Sequence, residues 1–153
     1  SPGDLHAQIY GDQRYRRGVT RAAELQVVRG GASAYVYLLR WKTPVMGGRL
    51  RAPHTLCIPF AFGNVDRAVG ITGGAPDRYR LETEMRDAWV AFARTGEPNH
   101  AGLPAWPRYD TSRRPTMILD RSSVLAGDPL RDERLALDAC PRYVPRIGEG
   151  RLR

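Results

Sequence analysis

The chain is 153 residues long, which suits a single domain with its own hydrophobic core. Its composition, 42% hydrophobic and 26% charged, is that of an ordinary globular protein, and no apolar run approaches the roughly 20 residues of a membrane span, so we expect no membrane partner. The net charge of +8 is carried almost entirely by arginines scattered among acids, a pattern that argues against nucleic acid as a partner.

The first part of the chain predicts one helix and one strand. Residues 1–18 are polar and show no clear period, so we expect irregular structure; they also lack the features of a secretion signal, which leaves the localisation undetermined. Thr20 suits the N-cap of a short helix that reaches Val28 and ends at the glycines 30–31. The run Tyr35–Trp41 is apolar and aromatic without alternation. This pattern predicts a strand buried on both faces, as in a parallel sheet covered by helices.

The second part predicts two helices and one further strand. The clearest helix covers Asp77–Thr95, where apolar residues recur at helical spacing and a glycine follows the last turn. The other predicted elements are a loop over Arg51–Asn64, a turn over Gly70–Gly74, a short strand over Thr116–Leu119, and a last helix with Asp128 as N-cap and Pro129 at its first position that reaches about Ala139.

The order of these elements predicts an α/β fold. Two strands do not make a stable sheet, and the strand at 35–41 needs a partner on each edge. We therefore expect residues 1–140 to form part of a larger fold, an incomplete sheet with packing helices. Residues 141–153 contain few apolar side chains and are expected to be a mobile tail.

His54 is the main candidate for chemistry. It follows the predicted buried strand, and open α/β sheets place their functional sites beyond the carboxyl ends of parallel strands. A single histidine in a loop has a second explanation, as a hydrogen-bonded structural side chain. The residues alone leave both explanations open.

A metal site is an alternative interpretation of the same region. Its ligands would be His54, Cys57, His100 and Cys140, but only the first two have a spacing typical of zinc ligands, and structural zinc sites usually contain two close pairs. We therefore expect no metal and no other cofactor. Two cysteines do not define a disulfide framework, and we expect two separate, mostly buried thiols.

The sequence offers His54 no nucleophile to activate. The nearest match to the nucleophile elbow G-x-S-x-G is Gly31–Tyr35, which lacks the second glycine and precedes a strand instead of following one. The only serines before His54 are Ser1 and Ser33. The acids before it are Asp4, Asp12 and Glu24, and none follows a predicted strand.

Three segments carry a resemblance to a known family. They are the histidine segment Ala52–Asn64, the helix and its Gly-Glu-Pro-Asn exit at Met85–Asn99, and the Trp-Pro-Arg-Tyr segment at Leu103–Asp110. In this order and spacing they resemble the C-terminal portion of the type B carboxylesterases, the cholinesterase-related branch of the α/β-hydrolase fold. Gly11–Tyr15 resembles a weaker stretch of the same family, so the likeness covers about residues 11–140.

The resemblance implies that the fold is a C-terminal fragment of an α/β-hydrolase and that His54 is the catalytic base of a serine esterase. It also implies that the serine, the acid and the oxyanion-hole glycines belong to a missing N-terminal half, which would be a partner of this chain, and that the substrate is a small-molecule ester. The family usually has a carboxylate three residues after the histidine, where this chain has Cys57. We expect a carboxylic ester hydrolase fragment that is inactive alone; the alternative is a non-catalytic binding or interaction module built on the esterase scaffold.

Overall fold

The computed structural model describes residues 1–141, and three strands form its single described sheet. Strand β1 (Val36–Leu39) runs parallel to the central strand β2 (Pro115–Leu119), and β3 (Val124–Gly127) returns antiparallel on the other side of β2. Leu39 lies opposite Leu119, so the two parallel strands end together. The outer edge of β1 has no strand partner among the described residues.

Six α-helices surround this sheet within residues 1–141. They are α1 (Pro2–Gly11), α2 (Arg17–Val28), α3 (Cys57–Ala61), α4 (Val69–Thr72), α5 (Arg78–Thr95) and α6 (Arg131–Asp138). A π-helix (Asp12–Arg16) joins α1 to α2, and 3-10 turns occupy Val45–Gly48 and Val65–Ala68. None of the helices in the described part of the chain has the length and hydropathy that crossing a bilayer requires.

The prediction of irregular structure at residues 1–18 is wrong, because α1, the π-helix and α2 form one continuous helical arm over residues 2–28. Its start carries a capping box: the Ser1 hydroxyl accepts a hydrogen bond from the backbone N–H of Asp4, whose carboxylate reaches back to residue 1. Pro2 fits the first turn, where no backbone donor is needed. The signal was therefore present, but the polar composition of the stretch hid it.

The core lies between the sheet, α3 and α5. The buried residues that form it are Trp41, Leu56, Phe60, Val65, Leu81, Met85, Ala88, Trp106, Met117 and Leu119. Aromatic edge contacts join the layers: Tyr37 meets Trp89 of α5 with ring centroids 5.0 Å apart, and Trp41 meets Phe60 at 5.2 Å. The residues after β1 are thereby packed onto the same core as the strand itself.

Several predicted elements are confirmed. The helix end at Val28, the strand inside Tyr35–Trp41, the long helix and the strand at β2 all lie where the pattern placed them. Gly30 and Gly96 follow α2 and α5 with φ of 65° and 77°, the left-handed conformation in which glycine ends helices.

Other expectations need correction. Residues 36–39 are half-buried, not buried on both faces, since β1 is an edge strand among the described residues. The predicted loop at 51–64 contains α3, the predicted turn at 70–74 overlaps α4, and β3 was not predicted at all. The last helix begins only at Arg131, because Leu130 before it has φ of 60°, in the left-handed region. The Asp128 carboxylate does not cap backbone N–H groups but accepts two hydrogen bonds from the Arg134 guanidinium, of 3.0 and 2.7 Å. The expected tail at 141–153 lies, from residue 142 on, outside the described residues.

Candidate active-site histidine

His54 lies in the loop between β1 and α3, and its side chain is exposed. Two anchors hold this loop. Near its start, the backbone N–H of the buried Thr43 donates to the Arg51 carbonyl at 3.0 Å. At its end, Leu56 and Phe60 are completely buried in the core. The histidine therefore sits on a short exposed segment between fixed points.

The backbone next to His54 is strained. Thr55 has φ of 73°, in the left-handed region, and it is a β-branched residue, for which this conformation is a genuine outlier. Strained residues persist where the surrounding structure fixes them, and they cluster at functional sites. Here the fixed element is the adjacent Leu56 in the core, so the turn that presents His54 is set by packing.

Cys57 occupies the position at which the resemblance leads one to expect a carboxylate. It is the first residue of α3, half-buried, and it packs against the core cluster. Its thiol lies beside the Tyr37 phenol, and burial together with this thiol raises the pKa of Tyr37 above its usual value. Cys57 therefore behaves as a small packing residue that contacts β1.

The imidazole of His54 is held by stacking. Tyr15 of the π-helix lies against it with ring centroids 4.3 Å apart and planes 12° apart. Among residues 1–141, no hydrogen bond engages either ring nitrogen of His54. Sequence reasoning noted Gly11–Tyr15 only as a weak likeness and did not place Tyr15 at the histidine.

His100 illustrates the structural explanation that a loop histidine can have. Its Nδ1 accepts a hydrogen bond from the backbone N–H of Gly102 at 3.1 Å, so Nε2 carries the proton and donates to the Glu84 carbonyl at 3.0 Å. Both nitrogens are thus used within the fold. His54 differs in that both its nitrogens are unbonded in the described part of the chain.

The alternative metal ligands do not come together. Residues 1–141 contain no group of three or more His, Cys, Asp or Glu side chains that could share a metal ion. Cys57 and Cys140 are free thiols, and Cys140 is exposed, which corrects the expectation that both are mostly buried.

The three acids that precede His54 in sequence are each engaged elsewhere. Asp4 accepts two hydrogen bonds from Arg51, of 3.1 and 3.3 Å; Asp12 accepts two from Arg16, of 2.6 and 2.7 Å; Glu24 accepts one from Arg114. The hydrogen bonds from Arg51 and Ser1 hold the pKa of the Asp4 carboxyl well below its usual range. Ser33 precedes β1, in the connection from α2. The described residues therefore supply His54 with neither a serine nor a carboxylate.

A cleft of about 260 Å³ is lined by residues of α2, of α6 and of the end of the π-helix, and His54 is not among them. Its walls combine arginines with acids: Arg16, Arg17, Thr20, Arg21, Glu24, Arg134, Leu137 and Asp138. Each of the four arginines is engaged in an ion pair, Arg134 with Asp128 at 2.7 Å among them. This cleft is the seam between two helices.

Comparison with known proteins places this geometry in context. The model of the carboxylesterase family matches residues 3–137. The phenmedipham hydrolase of Pseudarthrobacter oxydans is 30% identical over 142 residues, which is 90% of this chain and 28% of that enzyme. The para-nitrobenzyl esterase of Bacillus subtilis is 31% identical over 108 residues, which is 69% of this chain and 22% of that enzyme. The chain thus spans about a quarter of the length of these curated relatives.

Solved structures of esterases also resemble this chain, again over about a quarter of their own length. An esterase from Clostridium hathewayi that can hydrolyse aliphatic aromatic polyesters superposes with a TM-score of 0.71 at 28% identity, over 85% of this chain and 28% of that one. A Geobacillus stearothermophilus carboxylesterase superposes with a TM-score of 0.70 at 34% identity, over 82% of this chain and 26% of that one.

Proposed function

This chain belongs to the carboxylesterase family, and we propose that it supplies the catalytic histidine, His54, of a carboxylic ester hydrolase. Its fold is part of an α/β-hydrolase fold, an incomplete sheet with packing helices, which confirms the fold class predicted from the sequence. The ester hydrolase activity itself, and its dependence on His54, are the proposal.

The observation that carries the proposal is the state of the His54 ring. The loop that bears it is fixed at both ends and strained at Thr55, next to the histidine, yet the imidazole is exposed and has both nitrogens free of hydrogen bonds within residues 1–141. A triad histidine needs one nitrogen for a carboxylate and the other for the nucleophile's hydroxyl. The fold uses neither nitrogen of His54 within the described residues, whereas it uses both nitrogens of His100. The exposed His6 shares this feature but lies on the surface of α1, while His54 lies in the anchored loop that follows β1.

In the proposed reaction His54 acts as a general base and then as a general acid. One ring nitrogen accepts the proton of a serine hydroxyl while the serine oxygen attacks the ester carbonyl carbon. The imidazolium then gives this proton to the leaving alcohol as the bond between carbonyl carbon and alkoxy oxygen breaks. In the second half of the reaction a water molecule gives a proton to the same nitrogen and attacks the carbonyl carbon of the acyl-serine. The bond between this carbon and the serine oxygen then breaks, the imidazolium returns the proton to the serine oxygen, and the carboxylic acid leaves.

The serine and the carboxylate come, in this proposal, from the remaining part of the enzyme, which docks on this chain. Two features support such a partner. Among the described residues the outer edge of β1 has no strand partner, and an edge of this kind is the usual place for a further strand. Large apolar side chains are also exposed near α3 and on α5, with Phe62 at 75% and Phe92 at 46%. The chain corresponds to 28% of the phenmedipham hydrolase, which leaves most of that enzyme without a counterpart here.

Complementation tests the proposal. The chain is co-expressed with the part of the Bacillus subtilis para-nitrobenzyl esterase that lies outside the matched region, and turnover of p-nitrophenyl acetate is measured. We expect turnover from the pair, none from this chain alone, and none from a pair carrying His54→Ala. His6→Ala is the matched control, because His6 is an exposed histidine of α1 that should not affect turnover.

The reference for this experiment is the relative cut at the same boundary and co-expressed as its own two pieces. If that reference is active and the pair containing this chain assembles without turnover, the chain is a non-catalytic module. Turnover by the isolated chain that survives His54→Ala would contradict the proposal in another way, because the reaction would then use different residues.

A further inference from the structure

We propose that Tyr15 is a positioning residue for His54: its ring holds the imidazole by one face and leaves both nitrogens free for their catalytic partners. This inference rests on the proposed function and extends it to a residue that the histidine segment does not contain. It also gives a role to Gly11–Tyr15, the stretch whose likeness to the family was weakest.

The geometry of the contact supports a positioning role. A centroid distance of 4.3 Å with an interplanar angle of 12° is a close, nearly parallel stack. In such a stack the tyrosine covers a face of the imidazole, while the nitrogens lie on its edge. Contact by the face therefore restricts rotation of the ring without using either hydrogen-bonding position. A hydrogen-bonding neighbour would have blocked one of them.

Tyr15 is itself fixed by its place in the helical arm. It belongs to the π-helix, a rare element that occurs frequently at functional sites. The flanking residues Asp12 and Arg16 form a two-bonded ion pair across this element, and Asp12 is only 8% exposed. Tyr15 therefore lies in a helical turn that the Asp12–Arg16 ion pair stabilises.

A second contact ties the same arm to the same loop. Arg51, three residues before His54, donates two hydrogen bonds to the Asp4 carboxylate in α1. The arm consequently meets the histidine loop at two places, Asp4–Arg51 and Tyr15–His54. Of these, only the stack touches the imidazole.

Proton NMR of the isolated chain tests the contact. A proton above an aromatic face is shifted upfield, so we expect the His54 ring-proton signals to move downfield in Tyr15→Leu and to stay in place in Tyr15→Phe, which keeps the ring. The His100 signals should not change in either variant, which shows that the fold is retained. Unchanged His54 signals in Tyr15→Leu, with His100 also unchanged, overturn the contact and with it the inference.

Kinetics of the complemented enzyme test the role. We expect Tyr15→Leu to lower kcat about two- to tenfold, the range for an aromatic pair, with KM unchanged, and Tyr15→Phe to restore kcat. A lost stack with unaltered kcat overturns the positioning role and leaves the proposed function standing. Absence of turnover from every pair that contains this chain, beside an active reference, overturns the proposed function and the role together, while the NMR result still decides whether the contact exists.

Discussion

Arg114 donates a hydrogen bond to Glu24 across 90 positions of sequence, and it thereby ties α2 to the start of β2. Both side chains are largely buried, at 16% and 17% exposure.

We expect Glu24→Gln to lower the free energy of unfolding by about 1–2 kcal/mol, because it leaves the Arg114 charge poorly compensated. Urea denaturation measures this. The matched control is Glu97→Gln, which removes the acid of an exposed pair with Arg108 and should cost clearly less than Glu24→Gln. Equal losses in the two variants would contradict the prediction.

The same pair predicts a pH dependence. Burial acts to raise the pKa of Glu24, but hydrogen bonds from Arg114 and Arg21 outweigh it, so the pKa lies below its usual value. A lowered pKa in the folded state means that the stabilising contribution is complete above the ordinary glutamate pKa of about 4.3 and is lost as the pH falls below it. The stability difference between wild type and Glu24→Gln should therefore be constant from pH 7 to 5 and shrink toward pH 3. A difference that grows toward pH 3 would show the opposite sign of the shift.

The anchoring of the histidine loop can be tested at Leu56. This side chain is completely buried, and Leu56→Ala should lower the free energy of unfolding by about 2–5 kcal/mol because it removes packed atoms and leaves a cavity. Ile58, two residues later, is 49% exposed, so Ile58→Ala should cost less than about 1 kcal/mol. Both losses are read from urea denaturation. Comparable losses would mean that the loop is not fixed by Leu56.

The elements that sequence patterns predicted are those whose signals are local. The long helix α5 repeats apolar residues at helical spacing over five turns, and Gly96 ends it. The strand β3 gave no such signal, because Val124–Gly127 is short and mostly exposed and is defined by its pairing with β2. Asp128 was predicted as an N-cap, the usual local role of such a residue, but Arg134 takes its carboxylate.

The candidate site likewise contains one residue that local sequence signals predicted and one that they did not. His54 was found from its position after a strand and from the resemblance of its segment, both of which are readable along the chain. Tyr15 lies 39 positions earlier, and only the folded arm brings its ring to 4.3 Å from the imidazole. A contact between distant segments leaves no period or spacing in a single sequence, so the histidine could be predicted and its neighbour could not.

The two thiols should differ in reactivity. Cys140 is exposed after α6, whereas Cys57 is half-buried against the core, and access controls the reaction of an ordinary thiol. Titration of the native protein with a thiol-specific disulfide reagent should give a fast phase that Cys140→Ser removes and a slow phase that Cys57→Ser removes. Recovery of fewer than two thiols in denaturant without reductant would instead indicate a bridge.

The strained turn at the histidine predicts a substitution that stabilises the chain. Thr55 has φ of 73°, is exposed, and makes no hydrogen bond through its side chain within the described residues, so its replacement loses little packing. Glycine adopts this conformation freely, whereas a residue with a side chain is destabilised there by about 1–2 kcal/mol. Replacement by glycine removes this strain, but part of the gain in stability is lost because glycine also gives the unfolded chain more conformational entropy. We expect Thr55→Gly to raise the free energy of unfolding by about 0.5–1 kcal/mol. Thr83→Gly, in the regular backbone of α5, is the control and should lower it by about 0.5 kcal/mol, since helical backbone disfavours glycine. A loss at both positions in urea denaturation would mean that the turn before Leu56 does not have this left-handed backbone.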